Sequence, residues 1–427
     1  MTHTAGEAVA PPAAPAQPRP ASRSLNAFRA LERHRNFRLF WVGQTVSLIG
    51  TWMQMVAQGW LALQLSNDPF IVGLVAASGA LPVARFSLLG GVIADRYDKL
   101  KLVIVAQTLL AVQASAFWLM VVSGHISIAW VVTLALFGGL INAFEIPARQ
   151  SLIIELVGRE DLLDAIALNS TGFNLARILG PMAAGLLIAN FGLASVFGVN
   201  AVSYAAVLTG LLMIRLPPRA LRNATGASPM AGLLEGLRYV RRTREVWILM
   251  RLIAVYSIFG APYLALMPVI ARDTLGGDAR TYGWLLGAVG CGAILGGLVL
   301  AFVARRAGRG RVLTAGALGF SVLVLAFSLS RSLMLSVVLL LFVGFTMVLT
   351  NAISNGLLQT LVPDALRGRV MAAYAWIFVG VGPVLGPYLV GGLAHRIGTP
   401  QAIGASAAVT LVYGLWAFGK YRVLRRM

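Results

Sequence analysis

Gly91-Val92-Ile93-Ala94-Asp95-Arg96-Tyr97-Asp98-Lys99-Leu100-Lys101 is a short charged hinge set between two long apolar runs. Upstream, Phe70 to Ile93 holds one charged residue, Arg85; downstream, Leu102 to Val122 holds none. A hydrocarbon core about 30 Å thick takes about 20 apolar residues as a helix, so each run is long enough to cross it and the hinge belongs at a membrane face. Outward from the hinge, the same alternation repeats along the chain. The expected spans are Leu39 to Leu65, Phe70 to Ile93, Leu102 to Val122, Ile126 to Glu145, Ala165 to Asn190, Leu193 to Ile214, Val246 to Ile270, Tyr282 to Val303, Val312 to Leu329, Leu333 to Leu357, Val370 to Ala394 and Ala402 to Phe418. The 427 residues are 58% hydrophobic and 12% charged, with a mean hydropathy of +0.80, whereas soluble domains carry about 25% charged residues. The expected fold is an all-α integral membrane protein with twelve transmembrane helices.

A net charge of +20 points to nucleic acid in a soluble protein, so the placement of the cations decides between that reading and topology. With the N-terminus inside, 28 of the 35 Lys and Arg fall in inside segments, and only Arg272, Arg280, Arg331 and Arg396 fall outside. The positive-inside rule then places both termini in the cytoplasm of a plasma (inner) membrane, and the excess charge serves topology and anionic lipid, with no nucleic-acid partner. The stretch through Ser24 is rich in Pro and Ala and lacks an apolar signal-peptide core, so residues 1–36 read as a disordered cytoplasmic tail. Cys291 is the only cysteine, which excludes an internal disulfide and reads as a small packing residue in the eighth span.

The basic segment 215–245, with Pro217, Pro218 and Pro229, separates two sets of six spans, 37–214 and 246–418, and residues 419–427 form a basic tail. Gly180, Pro181, Gly185 and Gly192 recur as Gly386, Pro387, Gly391 and Gly398 at one offset of 206. Gly50, Gly73, Arg96 and Lys101 recur as Gly260, Gly283, Arg306 and Arg311 at an offset of 210. Two homologous six-helix bundles are built to rock about a site between them.

The hinge resembles the signature loop of the major facilitator superfamily, G-x-L-A-D-R-x-G-R-[RK]. Gly91, Ala94, Asp95, Arg96 and Lys99 match, while Asp98 replaces the usual glycine and Leu100 a usual base. The resemblance implies that Asp95 latches against the inner end of the eleventh helix, within the set Gly91, Asp95, Arg96 and Lys99. Arg305 stands where the second copy would need an Asp, so one latch is complete. Phe37-Arg38-Leu39-Phe40-Trp41-Val42-Gly43-Gln44, Trp52-Met53-Gln54, and the stretch from Pro147-Ala148-Arg149-Gln150 to Ala167-Leu168-Asn169-Ser170 look like the enterobactin-exporter-like branch, the transmembrane secretion effectors. That branch implies export of siderophore-like or drug-like small molecules driven by an ion gradient. The fifth span, with Ala176, Gly180, Pro181, Ala184 and Gly185, resembles the superfamily's antiporter motif; close helix packing accounts for the pattern equally well.

Glu145 is the one acidic residue expected within a span, at the inner end of the fourth. A carboxylate in a partly dry cavity takes up a proton more readily, which makes Glu145 the proton-coupling candidate. Arg149, one turn later, offers the competing reading of a helix-end salt bridge. Arg85 either partners Glu145 or snorkels to the headgroups, and Arg251 reads as snorkelling. Arg177 shares a helix face with Ser170, Asn174 and Pro181. Gln44, Ser47, Thr51, Gln54 and Gln58 form a polar stripe on the first span that lines a cavity or bonds neighbouring helices, the cavity being favoured. Asn142, Asn174, Asn351 and Asn355 join the stripe as substrate-cavity candidates.

No H-E-x-x-H and no G-x-x-x-x-G-K-[ST] occurs, so zinc chemistry and ATP hydrolysis are not expected, nor is any cofactor. The expected protein is a monomeric secondary exporter whose partners are a small molecule, protons and membrane lipids. An importer or lipid flippase on the same scaffold is the alternative, ahead of a membrane sensor.

Overall fold

The computed structural model describes residues 29–216 and 229–421, the side chains of 229 and 301–307 excepted. The expected tail through residue 28, Pro217 and Pro218 of the linker, and most of the basic tail lie outside the described residues. Twelve long helical segments run through the rest. They are α1 (Arg35–Ser66), α2 (Pro69–Arg96), α3 (Lys99–Val122), α4 (Ile128–Val157), α5 (Leu162–Phe191) and α6 (Leu193–Leu212) in the first half. The second half holds α7 (Arg244–Thr274), α8 (Ala279–Ala307), α9 (Arg309–Leu329), α10 (Leu333–Leu361), α11 (Asp364–Ile397) and α12 (Thr399–Lys420). Among the described residues, eleven of these are long and apolar enough to cross a membrane by composition. The twelfth, α1, is 32 residues long, about 48 Å at 1.5 Å per residue, and its glutamines lower its hydropathy. All twelve together make the major facilitator fold, two six-helix halves related by a pseudo-twofold axis.

Residues 29–36, read from sequence as tail, are helical: Arg29–Arg33 forms a short helix and α1 begins at Arg35. Ala30 is fully buried, and Asp161, just before α5, holds the segment down by bonding His34 Nε2 at 2.9 Å, with Arg33 at 3.8 Å. The His34 hydrogen bond, assisted by Arg33, keeps the Asp161 carboxyl below its ordinary value against the opposing effect of burial.

Three of the repeated pairs, Gly73 and Gly283, Pro181 and Pro387, and Gly185 and Gly391, sit where the halves touch. A Cβ on Gly73 of α2 would stand 2.3 Å from the Pro387 carbonyl oxygen of α11, with Gly391 beside it. At the symmetry-related crossing, a Cβ on Gly283 of α8 would stand 2.6 Å from the Pro181 oxygen of α5, with Gly185 beside it. Small residues let these backbones meet, as in membrane helix pairs generally. Gly192 and Gly398 adopt φ of 77° and 90° and join α5 to α6 and α11 to α12 through a single residue, a conformation that strains any other residue.

α7 and α11 are the irregular spans. Wide turns interrupt them at Tyr256–Gly260, Ile270–Thr274 and Trp376–Val381, and Ser257 Oγ donates to the Phe378 carbonyl at 3.3 Å. Backbone freed by such turns has no water to bond inside a membrane and takes side-chain partners instead. Cys291, read as a packing residue, is exposed on α8.

Because the number of spans is even, both described chain ends lie on one face, here the terminus face. At the opposite face the halves are strapped together. His395 Nδ1 and Asp68 Oδ1 are 2.9 Å apart, Arg272 donates to Asn67 at 2.8 Å, and Arg280 donates to Asn190 at 2.6 Å. Just beneath, Met53, Trp60 and Val72 share one apolar core with Tyr263, Met267 and Tyr282, and Trp60 stacks on Tyr282 at 6.2 Å. Toward the terminus face each half instead buries its own core, around Phe37, Leu152 and Leu211 in one and Leu249, Leu313 and Phe418 in the other. The protein is therefore closed at the opposite face; toward the termini the two cores are distinct, joined by Leu88 of α2 packing on the second core and Trp376 Nε1 donating to the Ala84 carbonyl at 3.0 Å.

Candidate functional site

Glu145 lies deeper than its sequence neighbours imply. The span expected from sequence ends at Glu145, yet α4 continues to Val157 because Ala148, Leu152, Ile153 and Leu156 all bury against the first half. Glu145 is thus twelve residues inside the terminus-face end, about 18 Å at helical rise, and 3% exposed. Its carboxylate accepts from Arg149 Nε at 2.8 Å and from Gln107 Nε2 at 3.1 Å. Gln107 Nε2 also reaches Gln44 Oε1 at 3.4 Å, while its own Oε1 is buried without a partner. The chain α1–α3–α4 is therefore linked through one carboxylate that a single cation neutralises.

A second buried network lies nearer the opposite face. Gln54 donates to Gln113 at 2.9 Å, Asn200 donates to Gln54 at 2.7 Å, and Gln113 donates to the Leu134 carbonyl at 3.0 Å. Gln44, Ser47 and Gln54, favoured from sequence as cavity lining, are all buried, and the two glutamines bond α3 and α6. Matching amides at the same depth on neighbouring helices take them up. Gln107 and Gln113, missed as site residues, carried a visible signal as the only side-chain amides in the uncharged third span.

The other expected residues scatter. Thr51 is exposed and donates to its own helix at Ser47 O, while Gln58 is half-buried. Asn174 donates to Ser170 O on α5 at 2.8 Å. Asn142 and Asn351 are half-buried, and Asn355 accepts from Gln359 at 2.5 Å. Arg85 is exposed and forms no ion pair with Glu145, which pairs with Arg149. Arg251 lies 5.7 Å over the Trp416 ring, with Trp247 and Tyr413 at 5.8 Å. Gly180 packs against Trp52 and the α1 backbone, whereas Gly185 meets α8. Asp95 and Arg96 are exposed at the terminus-face end of α2, and among the described residues Asp95 has no hydrogen bond or ion pair. Lys99 reaches Glu155 Oε1 at 2.5 Å within its own half, and nothing approaches the Cβ position of Gly91.

Twelve spans in two related halves, meeting at repeated glycines, with a buried carboxylate in the first half, match a family model over residues 27–425, that of the transmembrane secretion effector. The chain belongs to the transmembrane secretion effector family. Members of the family are membrane transporters of the major facilitator type. The chain is 27% identical to the multidrug efflux pump Tap of Mycolicibacterium fortuitum, over 86% of this chain and 91% of that protein. It is 26% identical to the enterobactin exporter EntS of Shigella flexneri, over 90% and 91%. Among solved structures, the inward-facing, unoccupied bacterial homologue of the human lysosomal transporter Spinster superposes with a TM-score of 0.74 at 16% identity, covering 91% of this chain and 97% of that one. The nucleoside transporter NupG gives 0.73 at 13% identity, covering 90% and 99%. This secretion-effector chain therefore shares the fold of transporters and is itself a multi-pass membrane transporter.

Proposed function

We propose that the protein is a secondary active exporter of small amphiphilic molecules, siderophore-like or drug-like, working by alternating access with proton antiport. The terminus face is assigned to the cytoplasm of the plasma membrane, which the distribution of 28 inside against four outside cations supports. The arrangement closed at the opposite face is then inward-facing, and Asp95 is the latch that engages when the cytoplasmic ends close. The observation that carries the coupling role is the burial of Glu145, the carboxylate set deepest in a described span, within hydrogen-bond reach of Arg149 and Gln107. Proton entry from outside would discharge Glu145 and free Arg149, and release inward would restore the pair. Efflux of anionic, neutral and cationic fluorescent amphiphiles from proteoliposomes, with and without an imposed pH gradient, tests this reading and its direction. In Glu145→Gln the flux is expected to fall to the rate seen without a gradient while passive exchange persists. Flux that stays proton-driven in that variant refutes the role.

A further inference from the structure

The middle of α5 carries a cation that no described protein group neutralises. Arg177 lies fifteen residues from Leu162 and fourteen from Phe191, about 20 Å from either helix end and so near the bilayer centre. Its Nε and Nη2 are buried without a hydrogen-bond partner, and no ion pair among the described residues includes it. Across the interface, Tyr263 of the Ala261–Leu264 turn in α7 is 2% exposed, and its hydroxyl is likewise buried without a partner. Arg177 lies one turn before Gly180, whose Cβ position stands 3.3 Å from the Met53 nitrogen, and Met53 shares one apolar core with Tyr263 of the other half, so the two groups sense each other's charge. The Arg177 backbone packs close to α8, its carbonyl oxygen 3.4 Å from where a Cβ on Gly290 would stand.

The chain has 15 acidic residues, and the one deep in a span, Glu145, is committed to Arg149. A guanidinium with two nitrogens buried and no counter-charge is costly in a membrane, and orphaned N–H and O–H donors call for an acceptor carrying negative charge. One turn toward the termini, Phe173 stands edge-on to Trp52 with centroids 5.7 Å apart, an aromatic wall suited to an apolar body. We propose that Arg177 and Tyr263 together bind the anionic group, a carboxylate or sulfonate, of a soluble aromatic organic acid that this transporter carries. The assignment rests on the transport reading above and gives its substrate a charge.

Binding to the purified protein in phosphatidylcholine nanodiscs, measured by equilibrium dialysis, separates the two because it needs no gradient. The probes share one ring system: 1-naphthoate, 1-naphthamide and 1-naphthylmethylammonium. The wild type is expected to bind naphthoate about tenfold or more tighter than the other two, the order of one charge-assisted hydrogen bond. Arg177→Gln loses the preference, Arg177→Lys retains part of it, and Tyr263→Phe weakens naphthoate several-fold without affecting naphthamide. Equal affinity for naphthoate and naphthamide, or a preference that survives Arg177→Gln, overturns the site. Displacement of naphthoate by phosphatidylglycerol assigns the pair to a lipid headgroup and also overturns it. Anion preference without gradient-driven flux of any probe would leave the site standing and sink the antiport reading instead.

Discussion

Gly73→Ala adds one carbon at the point where α2 and α11 are closest. That Cβ would sit 2.3 Å from the Pro387 carbonyl oxygen, about 1 Å short of the 3.4 Å at which ordinary contact begins, and the obstacle is backbone. Neither helix can yield by a side-chain rotation, so the crossing must open. Overpacking of this kind costs about 1–3 kcal/mol, paid only in the conformation closed at the opposite face, so the ratio of open to closed at that face rises about 5- to 150-fold. The assay is thiol labelling of Gln58→Cys in a Cys291→Ser background by a membrane-impermeant maleimide added from the opposite face. While the open fraction is small the labelling rate is proportional to it, and Gly73→Ala should raise the rate about tenfold. Gly283→Ala, whose Cβ would stand 2.6 Å from the Pro181 oxygen, should act in the same direction by less. Gly91→Ala, with open space at its Cβ, is the control and should change nothing. A folded Gly73→Ala protein that labels at the wild-type rate would refute the idea that these crossings hold the opposite face shut.

Asp95→Asn should lower labelling of Gln58→Cys in the same assay, because it weakens closure of the cytoplasmic ends and so favours the inward-facing form; an unchanged rate removes the latch. Gln54→Leu leaves Gln113 and Asn200 each short of a buried partner, which at about 1–3 kcal/mol per orphaned group should lower the melting temperature in detergent clearly below that of Thr51→Val. Asp161 sits outside the spans with its carboxyl held low by His34. Its contribution is full above the ordinary value of 3.8 and fades as pH falls through the lower folded value. Proteolysis between Arg29 and Arg38 should therefore accelerate below about pH 4, whereas Asp161→Asn should be cleaved fast at every pH.

Spans, duplication and membrane class were legible because lipid imposes a one-dimensional rule: about 20 apolar residues per crossing, with cations held to one side. The repeated Pro181 and Pro387, with Gly185 and Gly391, were visible as a period, although not as the two crossings that join the halves. Local sequence misplaced Glu145 at the end of its span, and only the apolar face from Ala148 to Val157, packed on its neighbours, carries the helix onward. It also left the stripe on α1 undecided. Whether Gln44 and Gln54 met a cavity or another helix depended on Gln107, Gln113 and Asn200 arriving at the same depth from 59 to 146 residues away in the chain.

The sequence by itself determined how many times the chain crosses the bilayer and that its two halves are copies, because hydrophobic length and charge placement act on each segment separately. The tertiary structure alone decided which polar groups are satisfied and which are left over, because a hydrogen bond needs two atoms within about 3 Å. Glu145 found Arg149 and Gln107, the glutamines of α1 found α3 and α6, and Arg177 and Tyr263, one in each half, were left with donors unmet.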